Sequence, residues 1–292
     1  MANCRFIRFN QNKARRVLPL PYQAPAVFPR IINGNTGVYA GCSPRAEDPA
    51  FPMDNALYAG RKGNVWVVPD GTSGNHTDGT SMILEVDLGS LQTIMACGVL
   101  GWSNGGGLGS FPQSVFIDAQ PGVSTTAAYS YGAYTPAFGS AINTGLRDGG
   151  TVFTFSVSSR FWRFRWPSAS SGHGFSIASV VVALVPTDIG FLYSGADEQR
   201  VRPRAVVESF DQTPTITYVG PEFVRWSIQF NNNDAALRTI LDNLYGDTQP
   251  FIFLTPDNEW QECIWGTEEF SREHIFAPPD RYRFLVELRQ LS

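Results

Sequence analysis

The chain has 292 residues and a formal net charge of −4, and only 16% of its residues are charged. It lacks the concentrated basic face of a nucleic-acid-binding protein, and no apolar run reaches the roughly 18 residues of a membrane span. Its length predicts two domains, with one large β domain as the alternative. The low charge and the 13% of aromatic residues are typical of a surface covered by partner proteins.

The first thirty residues contain no acidic side chain and predict a basic, extended arm. The segment Cys4–Phe9 alternates as a strand, and a proline-rich stretch over residues 19–29 then excludes a helix. We expect the arm to contact an acidic neighbour, including the C-terminal domain of another copy. A solvated basic tail is the alternative. The basic residues assigned to this contact are Arg5, Arg8, Arg15 and Arg16.

Residues 31–190 predict a β-sandwich, because short strands alternate with turn signals about every ten residues. The strands expected in this region are Asn64–Val68, Met82–Leu88, Ile94–Gly101, Ser114–Ala119, Val152–Val157, Phe161–Trp166 and Ile177–Leu184.

Residues 195–292 predict a second domain of strands with one helix. Alternating apolar residues predict a strand from Phe223, and the apolar spacing over residues 234–245 is that of one helical face. A terminal strand follows over residues 281–291. Its polar face carries Arg281 and Arg283, which we also assign to contacts between subunits.

The sandwich region carries four sequence marks in a defined order. They are Asp54-Asn55-Ala56, Glu85-Val86-Asp87-Leu88-Gly89, Phe161-Trp162-Arg163-Phe164-Arg165 and Phe175-Ser176-Ile177. With these marks the region resembles a discoidin-type, galactose-binding-like jelly roll. The resemblance implies a ligand at the loop end of the sandwich, where Trp102, Asn104 and Phe111 would contact a sugar. The alternative is that Trp102 and Phe111 close the core.

The same resemblance implies a structural Ca²⁺ ion beside Asp54 and Asn55, since hard cations take oxygen ligands. The sequence supports no other cofactor. The four cysteines are widely spaced and predict reduced, buried thiols.

The C-terminal domain resembles the small β-barrel with a flanking helix of phage tail-tube and distal-tail proteins. The resemblance rests on the strand and helix order and on Gly246-Asp247-Thr248-Gln249-Pro250-Phe251. It implies a homo-oligomeric ring of three or six copies, with tube and hub subunits as partners. The location would then be the tail tip of a virion assembled in the host cytoplasm.

The chain is predicted not to be an enzyme. None of the three histidines lies in a recognisable catalytic motif, and Glu268 and Glu269 are neighbours whose side chains would point apart on a strand. The leading hypothesis is therefore a structural component of a phage-type tail tip. The alternative is a carbohydrate-binding adhesin that contacts a host-surface glycan.

Overall fold

The structure is a computed structural model that describes residues 3–16, 28–32, 53–58, 66–68, 81–103, 114–120, 134–137, 142–143, 151–167, 175–192, 195–208, 214–218, 223–232, 235–246, 249–255, 260–266, 271–275 and 281–291. In chain order the strands and the helix are β1 (Asn3–Ile7), β2 (Arg30–Ile31), β3 (Trp66–Val68), β4 (Ser81–Ser103), β5 (Ser114–Ala119), β6 (Thr135–Pro136), β7 (Ile142–Asn143), β8 (Thr151–Pro167), β9 (Phe175–Ala183), β10 (Thr187–Leu192), β11 (Gly195–Val201), β12 (Arg204–Glu208), β13 (Pro214–Tyr218), β14 (Phe223–Asn232), α1 (Ala235–Tyr245), β15 (Phe251–Leu254), β16 (Trp260–Trp265), β17 (Ser271–Ile275) and β18 (Arg281–Gln290).

The chain divides into two compact units. The sandwich unit contains residues 7–187 with 259–261, and the C-terminal unit contains residues 1–6, 188–258 and 262–292. The predicted class is confirmed: the protein is mainly β, with a β-sandwich, a barrel-like C-terminal sheet and one flanking helix in the described part of the chain. No helix among the described residues is both long and apolar enough to cross a membrane.

The sandwich unit is organised around two long antiparallel strands, β4 and β8. Within the described residues the sheet order is β3-β9-β4-β8-β5-β6, with β2 added on β4 and β7 on β5. The register of β4 and β8 slips between Asp87 and Gln92, where four residues of β4 lie opposite the single residue Arg160. Such a bulge bends a strand and allows it to pass from one layer of a sandwich to the other.

The bulge forms a corner at which both long strands turn from one layer into the other. Before the corner β4 sends Leu84 and Val86 into the core, and after it Cys97 and Val99 enter the same core cluster. Because the two halves of each strand pack against one another, the corner lies at one end of the sandwich and the ends of the strands lie at the other. We call these the corner end and the open end. Four of the strands predicted from sequence are therefore halves of two bent strands. Met82–Leu88 and Ile94–Gly101 belong to β4, and Val152–Val157 and Phe161–Trp166 belong to β8.

The described residues of the predicted N-terminal arm pair with strands of this chain, and the strand expected over Cys4–Phe9 is found as β1. Strand β1 lies between β10 and β15 in the C-terminal sheet, and Phe6 is buried there. Residues 11–13 bind along the sandwich strand β9, where the Lys13 amide donates to Val182 and the Leu184 amide donates to Gln11. Unpaired strand edges and apolar side chains of the chain itself are available to this segment, so it binds internally.

The C-terminal unit is built on a sheet with the order β10-β1-β15-β16-β18-β14-β11 in the described residues, with β17 paired to β18. Its core includes Phe6, Phe253 and Val286, against which α1 buries Leu241 and Leu244. The observed helix matches the helix predicted over 234–245 to within a residue. Strands β12 and β13 form a separate two-stranded sheet.

Candidate functional site

Of the predicted glycan-binding residues, Trp102 belongs to the described part of the chain and lies at the open end of the sandwich. The backbone of Trp102 pairs with Ile177 near the end of β4, two residues before the segment that contains Asn104 and Phe111. Asn104 and Phe111 lie outside the described residues. The assignment of all three to a sugar therefore stays a prediction.

The predicted calcium pair, Asp54 and Asn55, lies in a short 3-10 helix spanning Met53–Leu57. The Arg16 guanidinium lies 3.6 Å from Asp54 Oδ1, so a cation of the chain itself already accompanies this carboxylate. The backbone carbonyl of Asn55 accepts a hydrogen bond from the Tyr58 amide. In the described parts of the chain no group of three or more His, Cys, Asp or Glu side chains could hold a metal ion. The Ca²⁺ site at Asp54 and Asn55 stays a prediction.

Burial is the largest influence on the pKa of the Asp54 carboxyl. It raises the pKa of the carboxyl above its ordinary value, while the Arg16 charge and hydrogen bond act in the opposite direction. The neutral acid is thus favoured more than it would be in water.

Two of the arginines assigned to subunit contacts are engaged inside the sandwich unit instead. Arg15 donates to the Tyr58 carbonyl at 2.6 Å and to Ser179 Oγ at 2.9 Å, and Arg16 donates to the Pro29 carbonyl. Both side chains are buried. These guanidinium donors thus satisfy carbonyls of the chain itself, and the assignment of Arg15 and Arg16 to an interface stays a prediction.

The remaining arginines of that prediction stay untested. Arg5 and Arg8 are half-buried, and the backbones of Arg281 and Arg283 belong to β18, where Arg283 pairs with Asn231.

The most developed polar site of the described residues is centred on Asp87 at the corner. Asp87 is fully buried and accepts hydrogen bonds from Arg160 at 2.7 and 2.9 Å, from Arg30 at 3.1 and 3.2 Å, and from the Gly89 amide at 2.8 Å. Arg160 pairs bidentately with the two carboxylate oxygens, whereas Arg30 donates through Nε and Nη2 to Oδ2 alone. One carboxylate thus joins β2 and β8 to the bulge of β4.

A second buried carboxylate, Asp118 of β5, repeats this arrangement. Arg163 lies 2.8 Å from Asp118 Oδ2, and Arg165 donates to Asp118 at 2.5 Å. The Arg163 guanidinium lies over the ring of Tyr134 at 4.3 Å, and that of Arg165 lies over Phe116 at 4.9 Å. Aromatic rings therefore cover the charged groups that the carboxylate holds.

Strand register places these residues on one side of the sheet. Glu85 pairs with Arg163, which pairs on its other side with Asp118. We call this side the charged face. Its acidic and basic side chains, with those of the corner, are Arg30, Arg160, Arg163, Arg165, Glu85, Asp87 and Asp118.

Two of the four sequence marks include residues of the charged face, namely Glu85 and Asp87 in one and Arg163 and Arg165 in the other. The marks did not indicate that these residues bind one another across the sheet. Leu88 of the Asp-Leu-Gly mark enters the core, while Asp87 binds the two arginines and Gly89 adopts φ +81°. A Cβ at Gly89 would lie 2.5 Å from Cγ of Phe28, so glycine is required here by two independent constraints. The partners Phe28 and Arg30 lie almost sixty residues earlier and could be found only from the fold.

No family model and no curated protein matches this chain. Among solved structures, it is similar to chitosan-binding module 1 of a chitosanase/glucanase from Paenibacillus sp. IK-5, with 20% identity over 48% of this chain and 90% of that one, at a TM-score of 0.34. It is similar to the family 32 CBM of C. perfringens NanJ, solved with galactose, with 17% identity over 47% and 88%, at 0.33. It is also similar to a fucolectin from striped bass (Morone saxatilis) serum, with 11% identity over 86% and 94%, at 0.35. All three TM-scores are below 0.5.

Proposed function

We propose that this protein is a non-catalytic carbohydrate-binding protein whose sandwich contacts a glycan with its open end. The observation that carries the proposal is the sheet corner. Because β4 and β8 each turn through both layers, the ends of both strands and the starts of β5 and β9 share one end of the sandwich. Trp102 belongs to this end. An indole offers a broad apolar surface and one polar N–H, which suits the mixed surface of a sugar ring.

The proposal is tested with the full chain on a glycan array, followed by calorimetric titration of the bound glycan. We expect Trp102→Ala to weaken binding by at least about tenfold, which corresponds to about 1.4 kcal/mol. The matched control is Leu91→Ala, which truncates an apolar residue that is 39% exposed at the corner end of the same strand. Its affinity should equal that of the wild type.

Silence of the wild-type chain on the array would contradict the proposal, as would unchanged affinity of Trp102→Ala. If Trp102→Ala lowers the melting temperature, Asn104→Ala serves as the second variant, because it belongs to the adjacent segment and removes only a polar group.

A second candidate function, a structural subunit of a phage-type tail tip, is supported by the C-terminal unit. Strands β10 and β11 end its sheet, and β12 pairs only with β13 within the described residues. Sheet edges can pair with strands of other chains, and a lone two-stranded hairpin is only marginally stable in water. We propose that this unit joins a ring of three or six copies with tube and hub proteins in the tail tip, while the sandwich contacts host glycan.

Light scattering of the full chain over a range of concentrations tests this second candidate. Of two neighbouring residues on an edge strand, one points its N–H away from the paired strand. Proline at that residue breaks no hydrogen bond within the sheet. Of Glu198→Pro and Gln199→Pro, we therefore expect the variant whose melting temperature is unchanged to abolish the ring. The variants Glu198→Ala and Gln199→Ala should still form the ring. A monomer at every concentration that also fails to bind tube or hub proteins would contradict the candidate.

A further inference from the structure

Two arginines lie side by side on the C-terminal sheet. In the antiparallel pairing of β14 with β18, Arg225 is directly opposite Arg289. Residues paired in this way project from the same face, with their Cβ atoms about 5 Å apart. It is the face away from the core, because the alternate residues Trp226 and Leu288 belong to the core cluster. Like charges directly opposite one another weaken strand pairing, so this arrangement favours an anion beside them.

The described sheet does not supply that anion. In the described part of the chain no ion pair joins Arg225 or Arg289 to an acidic residue. The acidic residues of the next row, Asp197 and Glu287, are in register with Ser227 and not with either arginine. The Nε atom of Arg225 is buried and donates to no acceptor among the described residues. A buried donor without an acceptor is costly, so the polar groups of this place are incompletely satisfied by the chain.

The sandwich unit treats its adjacent arginines differently. Two buried aspartates, Asp87 and Asp118, each accept hydrogen bonds from two arginines. The acceptor between two guanidinium groups there belongs to the chain itself. At Arg225 and Arg289 the described chain provides the donors without the acceptor, so an acceptor that fits there comes from a ligand.

The Arg289 guanidinium is positioned by an aromatic ring. Its carbon lies 4.1 Å from the centroid of the Phe223 ring, and Phe223 is itself buried. This contact orients the guanidinium plane without using its N–H groups, which stay available to a ligand. Arg289 is exposed and Arg225 is half-buried, so the pair can be reached from solvent.

Charge and shape select the ligand. Two guanidinium groups carry two positive charges and two forks of donors, and a tetrahedral oxyanion can accept from both on separate oxygens. A phosphate group offers three acceptor oxygens and a charge of about −1.5 to −2 near pH 7. A carboxylate of the chain is held in place by the fold, but a free ligand must supply its own affinity, and a carboxylate carries only one charge.

We propose that Arg225 and Arg289 form a binding site for a phosphate group, either the free ion or a phosphate monoester. The site belongs to the C-terminal unit. It goes beyond both the glycan contact and the ring proposed above and depends on neither.

The test is a calorimetric titration of the full chain with inorganic phosphate at about pH 7.5 and constant ionic strength, with acetate as the comparison anion. The wild type should bind phosphate at least about tenfold more tightly than acetate. Arg289→Gln should weaken phosphate binding by about tenfold or more, because it removes one of the two charges. Arg289→Lys, which keeps the charge but loses the planar fork, should give an intermediate affinity.

Arg200→Gln is the matched control. It removes the same charge from the same sheet, but Arg200 is in register with Val224 on the other face, and its side chain is 74% exposed. This variant should bind phosphate like the wild type. Titration with glycerol 3-phosphate then distinguishes the two forms of the ligand, since an equal or higher affinity indicates a monoester and a lower affinity indicates the free ion.

Three results would overturn the inference. They are absence of phosphate binding to the wild type, equal affinity for phosphate and acetate, and an Arg289→Gln variant that keeps the wild-type affinity. An equal loss in Arg200→Gln and Arg289→Gln would also overturn it, because phosphate would then respond only to the net charge of the protein. Trp102→Ala should leave phosphate binding unchanged, so failure of this site and failure of the glycan contact are distinguishable.

Discussion

The rings of Phe155 and Trp162 stack with their centroids 5.9 Å apart, although both belong to strand β8 and lie seven positions apart. An unbent strand would separate them by about 23 Å, at about 3.3 Å per residue. The strand must therefore turn back on itself between them, and the two rings meet across the sandwich core. The corner at Asp87, Gly89 and Arg160 makes this contact geometrically possible.

The first prediction concerns the glycine of the corner. Gly89→Ala should lower the free energy of unfolding by about 1 to 3 kcal/mol, because it strains a positive-φ position and drives a methyl group into Phe28. Urea denaturation measures the change. Ser90→Ala, one residue further along, should stay within about 0.5 kcal/mol of the wild type.

A double variant isolates the steric part of this effect. In the Phe28→Ala background, Gly89→Ala should cost less than it does alone, since the ring that the methyl group meets is gone. Strict additivity of the two changes would show that the contact with Phe28 plays no part.

The second prediction concerns the buried carboxylate. Asp87→Asn should lower the free energy of unfolding by about 3 kcal/mol, because it leaves Arg30 and Arg160 without the charge that both bind. Chemical denaturation provides the measurement. The exposed Asp197 is the matched control, and its change to Asn should alter the free energy of unfolding by no more than about 0.5 kcal/mol. Equal stability of the two variants would contradict the role given to Asp87.

The third prediction concerns the N-terminal strand. Phe6 packs on Phe251 and Phe253 with centroids 5.6 and 5.3 Å away, so Phe6→Ala should cost about 3 kcal/mol. The loss should appear first at Cys263, which shares this core, and not at Cys97 of the sandwich. Burial raises the pKa of both thiols well above the ordinary value, and only thiolates react with iodoacetamide.

Mass spectrometry of time-dependent alkylation measures the two cysteines separately. In the wild type both should be protected until urea unfolds the chain. A Phe6→Ala variant in which Cys97 loses protection before Cys263 would contradict the placement of β1 in the C-terminal sheet.

The fourth prediction concerns pH. The pKa of Asp54 is raised in the folded chain, so the folded state holds this proton more tightly than the unfolded state does. The stability that this provides is present below the ordinary pKa of an aspartate and is lost as the pH rises through the raised value. The melting temperature of Asp54→Asn, relative to the wild type, should therefore increase from pH 3 to pH 7. A difference that falls over this range would contradict the assignment.

The sequence predicted secondary structure best where local periodicity decides it. The apolar spacing that ends in Leu241 and Leu244 predicted α1, and β5 was expected over the residues where it is found. The buried environment of Cys97 and Cys263 also followed from their spacing and type. In each case the signal lies within a few residues of the feature.

The sequence by itself determined the β class and the residues of the Asp-Leu-Gly mark, because alternation and turn residues act locally. The apolar alternation is interrupted before Gln92 and around Arg160. Only the tertiary structure decided that these interruptions are corners within continuous strands, because a loop and a bulge interrupt the sequence pattern in the same way. It also showed which strands of this chain β1 pairs with, and it placed Arg30 beside Asp87 and Phe28 beside Gly89. Those contacts join residues far apart in the chain, and their energies depend on burial and charge that exist only once the sheet has folded over.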